Sequence, residues 1–193
     1  MTPTMILEGL VTTTDADGGP HLAPMGPAVD AAMRTFRLRP FPTSATYLNL
    51  VRHGEGVLHV TDDAALIARA ALGPVSPFPP TRPATRVRGY VLSDACRAFE
   101  FRVTSIDPSA ARVDVVAEVV HAVTLREFFG FNRAKHAVVE AAILATRFHL
   151  VPLAEVAAEF RKLRVVVEKT GGPAELDAMA FLDDALCRYQ EAR

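Results

Sequence analysis

The residues best suited to bind an anion lie in the segment LRPFPTSATYLNL. Three hydroxyl side chains, Thr43, Ser44 and Thr46, stand at the predicted start of a helix, where unpaired N–H groups and the helix dipole favour negative charge. Upstream, Arg37 and Arg39 alternate with apolar residues, so both guanidinium groups are predicted on one face of a strand. This pattern is compatible with a phosphate site. On spacing alone the simpler interpretation is that Ser44 is an N-cap and the arginines are solvated, since hydroxyl caps are common.

The remaining chemistry-bearing residues do not form a recognisable catalytic or metal motif. His21 is expected to be exposed on a hairpin, and His59 and His121 alternate with apolar residues, which predicts half-buried structural groups. No pair of histidines has zinc-site spacing with a further cysteine, histidine or acid, so no metal is predicted. The sequence also has no nucleophile elbow, P-loop or Rossmann glycine fingerprint.

Composition places the 193-residue chain among ordinary globular proteins, because half of its residues are hydrophobic and 22% are charged. Lys and Arg number 21 against 22 Asp and Glu, a balance that suggests neither nucleic acid nor an anionic membrane as partner. The first residues lack a signal-peptide pattern, and the longest apolar stretch is too short to span a bilayer. Cys96 and Cys187 are predicted to be buried free thiols in a reducing cytoplasm.

The first part of the chain has the pattern of short strands separated by turns. Its prolines are frequent, since only Pro152 and Pro173 of 14 lie beyond residue 108. Strands are predicted at residues 6–14, 21–29, 34–40, 56–62, 89–106 and 112–123, a tight turn at Asp17-Gly18, short helices at 44–54 and 62–72, and a proline-rich surface arm at 73–86. Several short strands with one or two brief helices predict a small β-barrel.

After the last strand, the hydrophobic period changes to that of a helix. The first predicted helix begins at Asn132 as N-cap and ends at Pro152. A second helix is stopped by Gly171-Gly172, and a third begins with Pro173 in its first turn.

Four short motifs resemble the flavin-reductase-like branch of the FMN-binding split-barrel superfamily. They are Val11-Thr12-Thr13, Ala23-Pro24-Met25-Gly26, Ser44-Ala45-Thr46 through Asn49-Leu50, and Gly56 to Val60. The later segment GFNRAKHAVVEAAILATRFHL resembles the hallmark of one domain-of-unknown-function family in that superfamily. That family occurs in archaea and in bacteria with methanopterin-linked one-carbon metabolism, and its activity is not settled.

The resemblance implies that FMN is the cofactor and where it would bind. The residues Ala23, Pro24, Met25 and Gly26 would follow the isoalloxazine edge through backbone contacts. His21, beside this stretch, could approach the flavin, the alternative to an exposed histidine on the hairpin. Thr43, Ser44, Thr46 and Asn49 would hold the phosphate or the ribityl chain, and Arg37 or Arg39 would neutralise charge. The chain departs from many relatives at Ala45, where they carry an acidic residue or lysine, so the phosphate ligands stay open.

These observations predict an α+β protein, a mainly antiparallel split β-barrel with a C-terminal three-helix subdomain. The barrel, residues 1–128, is predicted to bind FMN, and the helices, residues 129–193, to pack on it. The resemblance implies a homodimer with flavin near the two-fold axis. It further implies an oxidoreductase that passes hydride between a nicotinamide, NADH or NADPH, and flavin or a pterin-like substrate. The alternative is a protein that binds flavin or a pterin without turnover.

A stripe of polar residues on the first C-terminal helix is a tentative substrate site. On a helical wheel Arg133, His136, Glu140 and Arg147 fall on one face, and Asn132 precedes them. They could bind an acidic or pteridine-like substrate. The alternative is a solvated face with a His136–Glu140 pair.

Overall fold

The chain divides into two compact units. The computed structural model describes residues 5–192. One unit comprises the chain up to Thr61 together with Ser76–Phe128, and the other comprises Asp62–Val75 together with the residues from Phe129 onward. Residues 62–75, which the sequence pattern placed within the barrel, therefore group with the C-terminal helices.

The first unit is built on an antiparallel sheet. Its elements are β1 (Met5–Ile6), β2 (Gly9–Thr14), β3 (Pro20–Met25), β4 (Ala28–Val29), β5 (Thr35–Leu38), α1 (Ala45–His53), β6 (Glu55–Val60), β7 (Thr81–Pro83), β8 (Tyr90–Leu92), β9 (Arg97–Asp107) and β10 (Asp114–Thr124). Eight of the strands form one sheet in the order β1-β4-β5-β10-β9-β6-β2-β3, and β7 pairs with β8. The predicted α+β fold with a mainly antiparallel sheet is confirmed.

Several predicted strands are divided in the structure. The run at 6–14 becomes β1 and β2, that at 21–29 becomes β3 and β4, and that at 89–106 becomes β8 and β9. β1 and β4 pair with each other at one edge of the sheet, while β2 and β3 lie at the other. The hydrophobic pattern alone does not show these breaks, because residues typical of strands continue across them.

The core of the first unit fills the side of the sheet that α1 covers. Leu50 of α1 packs in one cluster with Phe36, Leu38 and Phe101. The rings of Phe36 and Phe101 meet edge to face, with 5.1 Å between their centroids. This cluster fixes α1 on the sheet, and so positions its first turn.

The proline-rich arm is held by a buried carboxylate. Glu100 on β9 is 1% exposed, and its two carboxylate oxygens accept the backbone N–H groups of Thr85 and Arg86. On β2, the Thr12 and Thr14 hydroxyls donate to the carbonyls of Tyr90 and Arg88 respectively. The residues that directly follow the arm therefore contact the face of β2 that carries Thr12 and Thr14.

His59 is a structural histidine in the middle of this unit. Its Nδ1 lies 3.2 Å from the carbonyl of Leu10, and the backbone N–H of Leu92 donates to its Nε2 at 3.0 Å. A carbonyl only accepts and an N–H only donates, so the ring is neutral with its proton on Nδ1. Burial lowers the pKa of His59 to about 4, against a smaller opposing effect of the bond to Leu10.

We expect the buried His59 ring to lower the free energy of unfolding of the protein in mild acid. Because its folded-state pKa lies below the unfolded value, stability is intact above about pH 6.5 and is lost as the pH falls towards about 4. The loss should reach about 3 kcal/mol. Urea unfolding across this range should show a steeper decline for the parent protein than for His59→Gln, whereas the exposed-site control His149→Gln should follow the parent. A His59 imidazole signal that titrates near pH 6.5 in the folded protein would contradict the prediction.

The second unit is a helical cluster with an alanine-rich core. Its helices are α2 (Ala64–Leu72), α3 (Arg133–Ala145), α4 (Leu153–Thr170) and α5 (Pro173–Glu191). Small residues of α2 and α3, including Ala68, Ala134 and Ala141, are fully buried in one cluster with Phe160 and Leu182. The small side chains let the helices approach closely, which explains why α2 belongs here.

A polar network joins the starts of three helices in this unit. Lys135 donates to the backbone carbonyl of Asp62 at 2.7 Å and pairs with Glu175 at 3.1 Å. Although burial raises it, bonds from the Gly172 N–H and from Lys135 hold the pKa of Glu175 below its ordinary value. Asn132 caps α3, as predicted, by accepting the N–H of Lys135.

Two sequence expectations need correction here. The first C-terminal helix was predicted to continue to Pro152, but α3 ends at Ala145 and turns follow. The hydrophobic pattern continues beyond this point because Phe148 is buried without being helical. Cys96 is buried as predicted, whereas Cys187 is exposed on α5.

Among the described residues, no helix combines the length and the apolar character that a bilayer crossing needs.

Candidate functional site

The β2–β3 hairpin forms one wall of the candidate site. Asp15 accepts the N–H groups of Asp17 and Gly19 through its carboxylate, and Gly18 adopts a positive φ of 89°. This is the turn predicted at Asp17-Gly18, stabilised by an aspartate that bonds its own loop. The turn directs β3 back along β2 to the edge of the sheet.

The outer edge of β3 offers backbone groups to a ligand. Residues opposite each other on β2 and β3 include Val11 with Ala23 and Leu10 with Pro24. Proline has no N–H, so the Leu10–Pro24 pair is a non-hydrogen-bonded pair and the next pair, Val11–Ala23, exchanges the hydrogen bonds. By the same alternation, the N–H of Leu22 points away from β2. Carbonyl groups and one N–H therefore line the edge beside the predicted Ala23–Gly26 stretch.

The four residues of that stretch are partly accessible. Ala23, Pro24 and Met25 are half-buried on β3, and Gly26 is exposed just beyond it. A side chain at Gly26 would approach Glu8 Oε1 to 2.9 Å, so the chain passes close to the segment that precedes β2. The structure thus brings these predicted residues together along one edge.

The start of α1 leaves two hydrogen-bond donors unused. Ser44 is the N-cap: its Oγ accepts the N–H of Tyr47 at 3.2 Å and donates to the carbonyl of Phe41 at 2.8 Å. Within residues 5–192, the N–H groups of Ala45 and Thr46 have no acceptor. Both interpretations of this segment are therefore compatible with the structure, because Ser44 caps the helix and the two N–H groups still suit an anion.

Asn49 connects α1 to β2. It is 4% exposed, its Nδ2 donates to the Thr13 hydroxyl at 3.0 Å, and its Oδ1 accepts from Arg52 at 3.0 Å. Both ends of the amide are engaged within the protein, so Asn49 holds α1 in place. At the other end of the helix, Gly54 closes it with a positive φ of 64°.

His21 and Thr46 meet at the first turn of α1. The His21 Nε2 lies 3.3 Å from the Thr46 Oγ1, and Thr46 is 2% exposed. Burial lowers the pKa of His21, while the negative charge of Asp15 acts in the opposite direction. The histidine expected to be exposed is half-buried and lies beside a predicted ligand of the phosphate.

The two strand arginines are exposed, and one of them is paired with a carboxylate of another strand. Arg37 and Arg39 are both exposed and alternate with buried Phe36 and Leu38, as the pattern predicted. Arg37 pairs with Asp114 at 3.2 Å. Among the described residues, neither arginine forms an ion pair or hydrogen bond from its side chain to the first turn of α1. Thr43 is exposed in the connection that leads into the helix.

The polar stripe of the second unit is exposed, as the simpler interpretation expected, but the His136–Glu140 pair of that interpretation is not formed among the described residues. Arg133, His136 and Glu140 lie on α3 with accessible side chains, and Arg147 lies beyond its end. No His136–Glu140 ion pair forms in the part of the chain that the structure describes. His136 instead meets the ring of Phe131 edge to face, with 6.0 Å between centroids.

Two family models together account for most of the sequence. The model of the N-terminal domain of a protein of unknown function, DUF447, matches residues 7–126. A second DUF447 model matches residues 132–184. The chain belongs to the DUF447 family. Comparison with proteins of curated function gives no match.

Solved structures similar to this DUF447 chain share its fold. An FMN-bound DUF447 protein from Methanosarcina mazei is 22% identical, and the match covers 96% of both chains with a TM-score of 0.81. A flavoredoxin from Methanosarcina acetivorans is 13% identical over 62% of this chain and 68% of its own, with a TM-score of 0.53. The flavin reductase of styrene monooxygenase from Pseudomonas putida S12 is 14% identical over 63% of this chain and 82% of its own, with a TM-score of 0.52. The predicted membership of a domain-of-unknown-function family is confirmed, and the predicted fold is shared with these solved structures.

Sequence reasoning missed three features of this DUF447 chain. It did not connect His21 with Thr46, because the contact depends on strand register. It also overlooked Arg112, whose guanidinium lies 3.6 Å from the ring centroid of Phe41, just before α1. The third is an aromatic pair, Phe129 and Phe131, which are 83% and 93% exposed. The sequence EFFGFN, with three aromatic residues among few apolar neighbours, could have indicated this exposed pair.

Among residues 5–192, no three histidine, cysteine or acidic side chains form a metal-binding group.

Proposed function

We propose that this DUF447 protein binds FMN in its first unit, along β3 and at the start of α1. The observation that carries the proposal is the similarity to an FMN-bound member of the same family over 96% of both chains. A likeness of 22% identity supports the fold, so the residues of the site must support the cofactor independently.

The residues present fit FMN at both ends of the molecule. The two free N–H groups of Ala45 and Thr46 suit the phosphate, since a helix start binds anions through such donors. The pyrimidine edge of a flavin ring carries carbonyl acceptors and one N–H donor. The edge of β3 at Leu22–Gly26 offers complementary carbonyls and an N–H, so the ring can be held by backbone contacts.

The remaining predicted ligands have defined supporting roles under this proposal. Ser44 orders the first turn as N-cap, and Asn49 anchors α1 to β2, so that the phosphate site is preorganised. Arg37 and Arg39 supply positive charge at longer range rather than a direct bond. Thr43 lies in the connection before the helix, where its exposed hydroxyl is accessible to a ligand.

We further propose that the bound FMN serves as a hydride carrier between a nicotinamide and either free flavin or a pterin-like substrate. FMN itself supplies the redox chemistry, so the protein need only hold the ring, orient it and exclude water. The similarity to proteins named as a flavin reductase and a flavoredoxin supports this class. The second candidate function is binding of flavin or a pterin without turnover. Because flavin chemistry requires no catalytic side chain from the protein, the residues of the site fit both functions equally well.

One experiment separates these two functions. The purified protein, loaded with FMN, is mixed with NADH or NADPH without oxygen, and the visible flavin absorbance is followed. Rapid bleaching supports the oxidoreductase, whereas an unchanged spectrum of a stably bound flavin supports the binding protein. Failure to retain FMN after reconstitution would overturn the proposed cofactor.

The proposed assembly is a homodimer in the cytoplasm. Exposed apolar residues of the first unit, namely Met5, Ile6, Phe41, Leu48 and Val51, offer surface for a second copy. The thiols of Cys96 and Cys187 suit a reducing compartment. Sedimentation velocity at micromolar concentration should give a dimer, and a strict monomer would contradict the proposal.

The stripe on α3 is proposed to contact the substrate. If Arg133 and His136 bind an acidic pteridine, replacing either with alanine should lower the affinity for folic acid about tenfold, as expected for a charge-assisted bond. FMN content should be unchanged. Because both side chains are exposed, stability should stay within about 0.5 kcal/mol of the parent protein.

Fluorescence titration with folic acid, alongside the flavin absorbance of each variant, measures both quantities. Glu159→Ala on α4 is a matched control, since Glu159 is an exposed charged residue of the same unit that pairs with Lys162. Unchanged folic acid affinity in Arg133→Ala and His136→Ala would assign the stripe to a solvated face.

A further inference from the structure

The imidazole of His21 lies beside the free donors at the start of α1. His21 is paired across the strands with Thr13, and the Thr13 hydroxyl accepts a bond from Asn49 of α1. Residues that pair across an antiparallel sheet share a face, so His21 and Thr13 both face α1. The 3.3 Å contact between His21 Nε2 and Thr46 Oγ1 fixes the ring at the first turn.

The ring retains capacity for a further ligand. Thr46 occupies Nε2, while Nδ1 forms no hydrogen bond to any residue between 5 and 192. The N–H groups of Ala45 and Thr46, which are equally unpaired, belong to the same turn. An imidazole and two backbone donors therefore surround the position proposed for the phosphate.

Burial favours the neutral form of His21 before a ligand binds. The titratable groups of the neighbouring elements are Asp15 and Asp17 in the hairpin turn and Arg52 and His53 in the last turn of α1. Burial lowers the pKa of His21, and of these groups Asp15 opposes that effect. A phosphate dianion at hydrogen-bond distance favours the protonated ring, because opposite charges stabilise each other in a partly buried site.

Resting on the proposed FMN site, we propose that His21 is a phosphate ligand that takes up one proton from solvent when FMN binds. The protonated ring donates a hydrogen bond to a phosphate oxygen. FMN binding is then linked to pH through the phosphate, and the preference for FMN over riboflavin grows as the pH falls from about 8 towards the second phosphate pKa of about 6. The proton balance involves only solvent and the imidazole, and no redox step.

Isothermal titration calorimetry of the full-length protein tests this linkage. FMN and riboflavin are each titrated at pH 7.5 in two buffers that differ in ionisation enthalpy, and the difference gives the protons taken up. Free FMN is mostly a dianion at this pH, because the second phosphate pKa is about 6. The parent protein should take up between about a half and one proton per FMN and close to none per riboflavin.

Variants assign the proton to one residue. His21→Gln should abolish the FMN-linked uptake and lower FMN affinity about tenfold, while riboflavin affinity holds. His149→Gln, at an exposed histidine of the other unit, should match the parent protein. Circular dichroism confirms that each variant is folded, and the two-buffer comparison of the parent protein stands without any variant.

The outcomes separate this inference from the proposed function. If neither FMN nor riboflavin binds, the proposed function itself is overturned. If FMN binds without proton uptake, or if His21→Gln takes up as many protons as the parent protein, FMN binding stands and the role of His21 is overturned.

Discussion

Replacing Ala45 with proline should weaken FMN binding roughly ten- to a hundredfold while riboflavin affinity stays nearly unchanged. Ala45 is the first residue of α1, and its N–H has no acceptor within the described part of the chain. Under the proposed function this N–H donates to the phosphate, and proline removes it. A hydrogen bond to a charged group contributes about 1.5–3 kcal/mol, which sets the size of the effect.

The substitution should leave the helix intact. Proline is favoured at the first helical position, where its missing N–H has no partner within the helix. The residue before a proline must be extended, and Ser44 already has φ −74° and ψ 145°. The cap between Ser44 and the N–H of Tyr47 is also retained.

Fluorescence titrations with FMN and with riboflavin measure the two affinities. Ala45→Gly is the matched control, because it removes the side chain and keeps the N–H, and it should bind FMN like the parent protein. Equal losses for both ligands in Ala45→Pro would indicate a folding defect. Full FMN affinity in Ala45→Pro would show that the helix start does not hold the phosphate.

The first turn of α1 could be predicted from sequence because its determinants are local. A serine before a helical pattern, a following turn of hydroxyls and a closing Gly54 are sufficient to place both ends of the helix. The prolines of the arm and the Gly171-Gly172 stop after α4 act in the same local way. These elements were predicted to within a few residues.

The contacts that complete the candidate site could not be predicted in this way. His21 meets Thr46 only because β3 pairs with β2 in a register that places Thr13 and His21 side by side under α1. Arg37 has the right residue type and spacing for a phosphate, yet its nearest carboxylate, Asp114, comes from β10, a strand distant in sequence. The alternation of polar and apolar residues along a strand shows which face of the sheet a residue occupies, but it does not show which residue of another element packs against that face.

Helix grouping also depended on information outside the local pattern. α2 has the same length and amphipathic character as α1, so the sequence offered no reason to assign the two to different units. The two helices differ in the size of the side chains that they bury. α2 buries Ala64, Ala65 and Ala68, which pack in one cluster with the small residues of α3. α1 instead buries Leu50 among the large side chains of the sheet.

Replacing Glu100 with glutamine should lower the free energy of unfolding by about 2–3 kcal/mol and detach the proline-rich arm before the unit unfolds. The carboxylate is almost completely buried and accepts two backbone N–H groups of the arm, from Thr85 and Arg86. Glutamine keeps one acceptor and turns an amide NH₂ towards the other N–H. One charge-assisted bond is lost, and two donors are left facing each other.

Limited trypsin digestion detects the detachment directly, since Arg86 at the end of the arm and Arg88 just beyond it are both exposed and neither is followed by proline. Cleavage after these residues should be faster in Glu100→Gln than in the parent protein at denaturant concentrations where the circular dichroism is still native. The contacts of Thr12 and Thr14 with Tyr90 and Arg88, just beyond the arm, should slow complete release. Glu118→Gln, at an exposed carboxylate on β10, is the matched control and should change stability by no more than about 0.5 kcal/mol. If Glu100→Gln unfolds and is cleaved like that control, the buried carboxylate does not anchor the arm, and the remaining bonds from β2 and Glu55 must hold it.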